Sequence, residues 1–159
     1  LLAANHVAIL SEQWGNALGT NVVIWAVGLL VVYRAGVLHV AASYVISFLG
    51  LAVLRSAVAG TSLVAEVAPL TGPMYQLFVL FMITDPRTTL DSRRGRIAVA
   101  VTIAVAEAAI RLSAEYGVGW LAPLYRSPPI LALFFVGPAA MWWKQWREAP
   151  AERPAARTA

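Results

Sequence analysis

Four oxygen-bearing side chains lie at the end of one short apolar segment, residues 70–84. They are Thr84, Asp85, Thr88 and Thr89. Pro86 lacks a backbone donor and biases the residue before it away from helix, so Asp85 is placed to end the segment. In one interpretation Asp85 is solvated at a membrane surface. In the other, the four side chains supply oxygens to a cavity for an ion, a quinone or a cofactor headgroup.

A second candidate is the pair Glu107 and Arg111, four residues apart in the apolar segment 97–113. This spacing puts both side chains on one helix face, close enough to form an ion pair. An intramembrane ion pair is costly and usually faces the interior of a helical bundle. The pair is interpreted as a proton or ion relay, as an internal brace, or as two side chains that snorkel at a helix end.

His39, near the start of the segment 37–54, is a third candidate. Its imidazole could ligate a haem or a chlorophyll magnesium, or titrate near neutral pH. No partner lies four residues further on, so a hydrogen-bonded structural histidine is the alternative. There is no cysteine, metal-ligand spacing, catalytic triad or P-loop. We therefore predict no metal site, and we assign no catalytic residue or independent catalytic activity to this chain.

The composition indicates which elements must position these residues. Of 159 residues, 60% are hydrophobic and 13% are charged, and the mean hydropathy is +0.71. Soluble domains are about 45–50% apolar and about 25% charged. A chain of this length could not bury so much apolar surface in water, so lipid must surround it. The fold class predicted is all-α, a polytopic integral membrane helical bundle.

About five to six membrane segments are predicted, some of them short or re-entrant. They cover about 1–10, 21–33, 37–54, 70–84, 97–113 and 129–143, and a short helix or loop at 56–69 follows a stop at Arg55. Residues 1–147 form one membrane domain, and its start without methionine favours a missing upstream part. Residues 148–159 are predicted to be a disordered cytoplasmic tail, since they are rich in Ala, Pro and Arg.

The basic residues predict the orientation of these segments. If the loop 85–96 faces the cytoplasm, nine of the twelve Lys and Arg residues lie on the cytoplasmic side, and these nine include the arginines of the loop itself. Arg55 and Arg126 then lie outside, and Arg111 lies within a segment. The C-terminus is therefore cytoplasmic. The basic residues gather at segment ends instead of forming one basic face, so we exclude nucleic acid as a partner.

The stretch 54–89 carries a resemblance to a known family. Its motif is Thr71-Gly72-Pro73, an aromatic-rich helix, then Met82-Ile83-Thr84-Asp85-Pro86. It resembles the membrane family of the B subunit of sodium-pumping NADH:quinone oxidoreductase (NqrB) and the D subunit of the Rnf complex (RnfD), and most of all the stand-alone UnbU-type proteins of enediyne gene clusters. The resemblance covers roughly residues 5–113. It implies broken membrane helices and a chain similar to the C-terminal half of those proteins.

The resemblance also implies a function. Such subunits hold a flavin on a threonine and take part in electron transfer coupled to ion movement. No corresponding attachment motif occurs here, so no FMN or other cofactor is predicted in this chain. We expect a multi-pass subunit of an electron-transfer assembly in a bacterial inner membrane, with lipids and other membrane subunits as partners. The alternatives are an accessory structural subunit docked on a respiratory or photosynthetic complex, and a small-molecule or ion transporter.

Overall fold

A computed structural model describes residues 18–85, 90–117 and 127–148, and every regular element in these ranges is helical. The elements are α1 (Leu18–Arg34), α2 (Leu38–Ala59), α3 (Leu63–Val67), a 3-10 turn (Ala68–Thr71), α4 (Pro73–Leu77), a π-helical segment (Phe78–Met82), α5 (Arg93–Glu115) and α6 (Pro128–Glu148). The predicted segment 1–10 and the tail from residue 149 onward lie outside the described residues.

Two helices, α2 and α5, are long and apolar enough to cross a bilayer. A third crossing is available if residues 63–71 and 73–82, which meet at an angle of 69°, form one broken span. Helix α1 is apolar but has only 17 residues. A straight crossing needs about 20 residues. The all-helical prediction is therefore confirmed and its membrane character supported, whereas the count of five to six segments is not confirmed.

The predicted segment 70–84 is broken in the structure. Its first two residues belong to the 3-10 turn, and Gly72 is extended, with φ −86° and ψ 138°. Pro73 then begins α4, a position at which its missing N–H leaves no bond unmade. From Phe78 the helix widens, and the Ile83 N–H donates to the Phe78 carbonyl at 3.1 Å. A bond over five residues marks a π-helical turn.

Arg55 does not end its helix, which corrects the predicted stop. Helix α2 continues for one more turn to Ala59. Gly60 ends it with a φ of +69°, the left-handed conformation that favours glycine after a helix. Arg55 can remain inside the helix because Glu66 on α3 pairs with it, as described below.

Helix α2 packs mainly on α5, and α5 packs in turn on α6. Helix α1 packs on α4 and on the π-helical segment. Large apolar side chains remain exposed on the outer faces, including Val27, Ile46, Val105 and Phe134. Such faces suit a lipid environment. Near the end of α6, the Lys144 Nζ lies 2.5 Å from the Asp91 Oδ2 and lowers the pKa of that exposed carboxyl group.

Gly28 lies where α1 approaches the broken helix most closely. A Cβ at this position would lie 2.4 Å from the Leu80 Cδ1, and Leu80 is fully buried. Glycines in apolar helices often mark close helix packing, but a Cβ at Gly36 or Gly50 would meet nothing within 4 Å. Gly36 instead forms the turn between α1 and α2 with a φ of +70°.

We therefore expect Gly28→Ala to lower the free energy of unfolding by about 1–3 kcal/mol, because the added methyl group would overlap the buried Leu80 side chain. The matched control is Gly50→Ala on α2, which should be neutral or stabilising by up to about 1 kcal/mol, since alanine has the higher helix propensity. Both changes are measured as shifts in the melting temperature of the detergent-solubilised protein. Size-exclusion chromatography after heating gives the fraction that remains folded at each temperature. Equal melting of the two variants would contradict the close approach.

Candidate functional site

Three helices bring four side chains into one buried cluster, which we call the tyrosine–glutamate centre: Tyr44, Tyr75, Glu107 and Arg111. The Tyr75 hydroxyl donates to the Glu107 Oε1 at 2.5 Å, and the Tyr44 hydroxyl donates to Oε2. The Arg111 Nε and one terminal nitrogen each lie 2.8 Å from Oε1. Glu107 is completely buried.

The local structure explains why these residues meet. Glu107 and Arg111 lie one turn apart on α5, as their spacing predicts. Tyr44 lies on the buried face of α2, one turn before Phe48. Tyr75 enters from the first turn of α4, so the break at Gly72 sets its position. The ring of Tyr44 also packs edge-on against the ring of Phe78, and their centroids lie 5.7 Å apart.

The oxygen–oxygen contacts of the centre outnumber its phenolic hydrogens. The two phenol oxygens lie 2.8 Å apart, and each also contacts Glu107, which makes three contacts. Each hydroxyl carries one hydrogen, and an ionised carboxylate carries none. When both hydroxyls donate to Glu107, the contact between Tyr44 and Tyr75 has no hydrogen. One added proton would complete a closed ring of three hydrogen bonds.

A second buried ion pair connects α2 to α3, and we call it the Arg55 bridge. The Arg55 Nε donates to the Glu66 Oε2 at 2.8 Å, and the Thr61 hydroxyl donates to Oε1 at 2.9 Å. Arg55 is 1% exposed. Its two terminal nitrogens have no hydrogen-bond partner among the described residues. A buried guanidinium with unmet donors depends strongly on the carboxylate it does have.

Phe48 lies beside both the tyrosine–glutamate centre and the Arg55 bridge. The centroid of its ring is 5.3 Å from the Arg55 Cζ and 5.8 Å from the Arg111 Cζ. Both distances fall within the range of cation–π attraction. The aromatic core of α2 therefore contacts the tyrosine–glutamate centre and the Arg55 bridge at the same time.

A cavity of about 260 Å³ lies between the two groups, and its walls include Thr61, Glu66, Arg111 and Glu115. Arg111 reaches from this cavity to Glu107, so one side chain connects the cavity to the tyrosine–glutamate centre. Polar cavities of this size accommodate water.

Of the four oxygen-bearing candidates, the structure describes Thr84 and Asp85, which follow the broken helix. Thr84 is nine residues beyond Tyr75, past the end of the π-helical segment. The Thr84 hydroxyl donates to the Leu80 carbonyl at 2.6 Å, and Asp85 follows as a partly buried non-helical residue. Thr88 and Thr89 lie outside the described residues. An oxygen-lined cavity at this corner stays a prediction.

His39 lies in the first turn of α2 and is partly buried. The His39 Nε2 is buried and has no hydrogen-bond partner among the described residues. Within that part of the chain, no group of three or more His, Cys, Asp or Glu residues is placed to hold a metal ion. The interpretation of His39 as a pigment or haem ligand stays a prediction.

Sequence reasoning missed Tyr44, Tyr75 and the Arg55 bridge. A tyrosine in an apolar run is an ordinary packing residue until a buried acceptor is placed opposite its hydroxyl. Arg55 and Glu66 did carry a signal, because opposite charges flank the helix-ending Gly60 within otherwise apolar sequence. The sequence analysis instead predicts Arg55 as the end of a segment and places Glu66 in the short helix or loop at 56–69.

Comparison with protein-family models, with curated proteins and with solved structures finds no match. The resemblance of residues 54–89 therefore depends on its motif alone. The geometry of the tyrosine–glutamate centre is the independent basis for a functional proposal.

Proposed function

We propose that this chain is a multi-pass membrane subunit of an electron-transfer assembly, without a redox centre of its own, and that its tyrosine–glutamate centre relays protons. The electron-transfer assignment depends on the resemblance of residues 54–89. The relay depends on one observation, the position for a further proton among Tyr44, Tyr75 and Glu107. Ionisable groups within membrane helices usually mark ion or proton pathways.

The arrangement of charge supports a relay over a simple brace. Glu107 and Arg111 balance each other, which makes a buried carboxylate tolerable in the apolar bundle. A brace needs only that pair. The two phenol hydroxyls also bind the carboxylate and extend the hydrogen-bonded cluster, and Arg111 lines the cavity beside Glu115. Within the centre, a proton would move between Glu107 and the two phenol hydroxyls, whereas Arg111 has no acceptor and stays charged.

We expect the protein in lipid nanodiscs to show a carboxylic acid band on acidification in infrared difference spectra. The chain has eight Asp and Glu residues, so Glu107→Gln should remove one component of this band and leave the rest. Tyr44→Phe or Tyr75→Phe should shift that component, because each hydroxyl removed breaks two of the three contacts of the ring. The matched control is Tyr33→Phe, since Tyr33 is 70% exposed on α1. A band unchanged in Glu107→Gln would exclude Glu107 as the proton acceptor.

The corner at Asp85 is tested separately. In membranes that contain the native assembly, Asp85→Asn should lower quinone or ion turnover by about a hundredfold if Asp85 lines a site, the lower end of the range for loss of a positioned acid or base. The assembly should form in normal amounts. Unchanged turnover with unchanged assembly would remove Asp85 from the site.

The electron-transfer assignment is tested by gentle purification. Subunits carrying redox cofactors should co-migrate with this chain, and the visible absorbance should belong to them. Purification of the chain alone, with no redox partner, would contradict the assignment.

A second candidate function is ion or small-molecule transport, which the 69° bend in the broken helix pair favours. Broken helices commonly surround transport sites. Uptake by the isolated protein in liposomes would identify this function.

A further inference from the structure

A larger cavity, which we call the α1 pocket, lies between α1 and the broken helix. Its volume is about 510 Å³, and its walls include Asn21, Val22, Trp25, Leu70, Thr71 and Gln76. Pockets of roughly 300–1,000 Å³ accommodate small organic ligands. None of the tyrosine–glutamate centre residues lines it. The α1 pocket is therefore separate from the site of the proposed proton relay.

Gln76 is the unusual residue in this wall. It is 1% exposed, and its Nε2 donates to the Asn21 Oδ1 at 2.6 Å. The same nitrogen lies 3.4 Å from the Thr71 carbonyl oxygen, which can only accept a hydrogen bond. That contact fixes the orientation of the amide. The Gln76 Oε1 is left buried with no hydrogen-bond partner among the described residues.

Gln76 lines the α1 pocket and carries an acceptor that has no donor among the described residues. A buried carbonyl oxygen without a donor is costly, so a ligand that supplies an O–H or N–H gains that contact on binding. Among the described residues, those that line the α1 pocket carry no charged side chain, which disfavours an ionised ligand. Trp25, Val22 and Leu70 offer apolar and aromatic surface for the rest of the molecule.

We propose that the α1 pocket binds a neutral, largely apolar alcohol or phenol, whose hydroxyl donates to Gln76. The ligand reaches the pocket from the bilayer or from solution. The hydroxyl sets specificity and the apolar body supplies most of the affinity.

The test uses photolabelling of the whole protein in nanodiscs with a phenol that carries a diazirine group. 2-Naphthol should compete with labelling of the α1 pocket, and 2-methoxynaphthalene should compete about tenfold less well, since it has the same rings but no donor. Gln76→Met should bring the two competitors to within about twofold of each other. Competition by a diacylglycerol would show that a bilayer lipid with one hydroxyl is the source of the ligand, and competition by 2-naphthol alone would show a soluble source.

Two exposed valines provide a control that leaves the polar groups in place. Val22→Phe should fill the pocket and abolish competed labelling, whereas Val23→Phe, on the next residue and 60% exposed, should leave it unchanged. Labelling that neither competitor reduces, or that is spread evenly over the lipid-facing helices, would overturn the proposal. So would equal competition by the alcohol and its methyl ether in the unaltered protein.

Discussion

Glu107→Ala is expected to lower the free energy of unfolding by about 3–5 kcal/mol, the cost of breaking a buried charge pair. The change removes the acceptor of both tyrosine hydroxyls and of Arg111, whose side chain is only 21% exposed. Three helices lose their common contact at once. Thermal unfolding in detergent measures the loss as a lower melting temperature.

Two further variants separate the charge from the packing. Glu107→Gln keeps the side-chain volume and one acceptor oxygen, so we expect a smaller loss than for Glu107→Ala. Val105→Ala, at a half-exposed position of the same helix, should change the melting temperature little. If Glu107→Ala melted like the unaltered protein, the tyrosine–glutamate centre would not hold the helices together.

The Arg55 bridge should show an asymmetric response to loss of each partner. Glu66→Met leaves a guanidinium that is 1% exposed without its hydrogen-bonded carboxylate, and we expect a loss of about 3–5 kcal/mol. Arg55→Met should cost less, because it also removes the two terminal nitrogens that lack partners. Melting temperatures of the purified single variants give the comparison.

The double variant Arg55→Met/Glu66→Met completes this experiment. Replacing a whole buried ion pair by apolar groups is often close to neutral. We therefore expect the double variant to be more stable than Glu66→Met alone. A loss equal to the sum of the two single losses would show that Arg55 and Glu66 act independently.

The sequence predicted the helical class and the membrane setting because both depend on composition and on apolar run length. It also predicted that Glu107 and Arg111 share a face, since helical periodicity alone decides that. Those features are local. They require no knowledge of which helices are neighbours.

The remaining features depend on tertiary contacts. Tyr44 and Tyr75 belong to different helices, and only the packing of α2, α4 and α5 brings their hydroxyls to Glu107. Arg55 was predicted to stop a helix, because an isolated arginine in an apolar run usually marks the edge of the membrane. Its burial became tolerable only through Glu66, which follows a turn that the sequence did not define.

Phe48 has a consequence for the design of variants. Its ring is within 6 Å of the guanidinium carbons of both Arg55 and Arg111, so the two ionic groups share a neighbour. The changes in stability caused by substitutions at residues with a shared neighbour are not additive. Combinatorial libraries should therefore vary the residues of the tyrosine–glutamate centre and of the Arg55 bridge together. Single-site scans will misjudge which combinations of substitutions at the two clusters the protein tolerates.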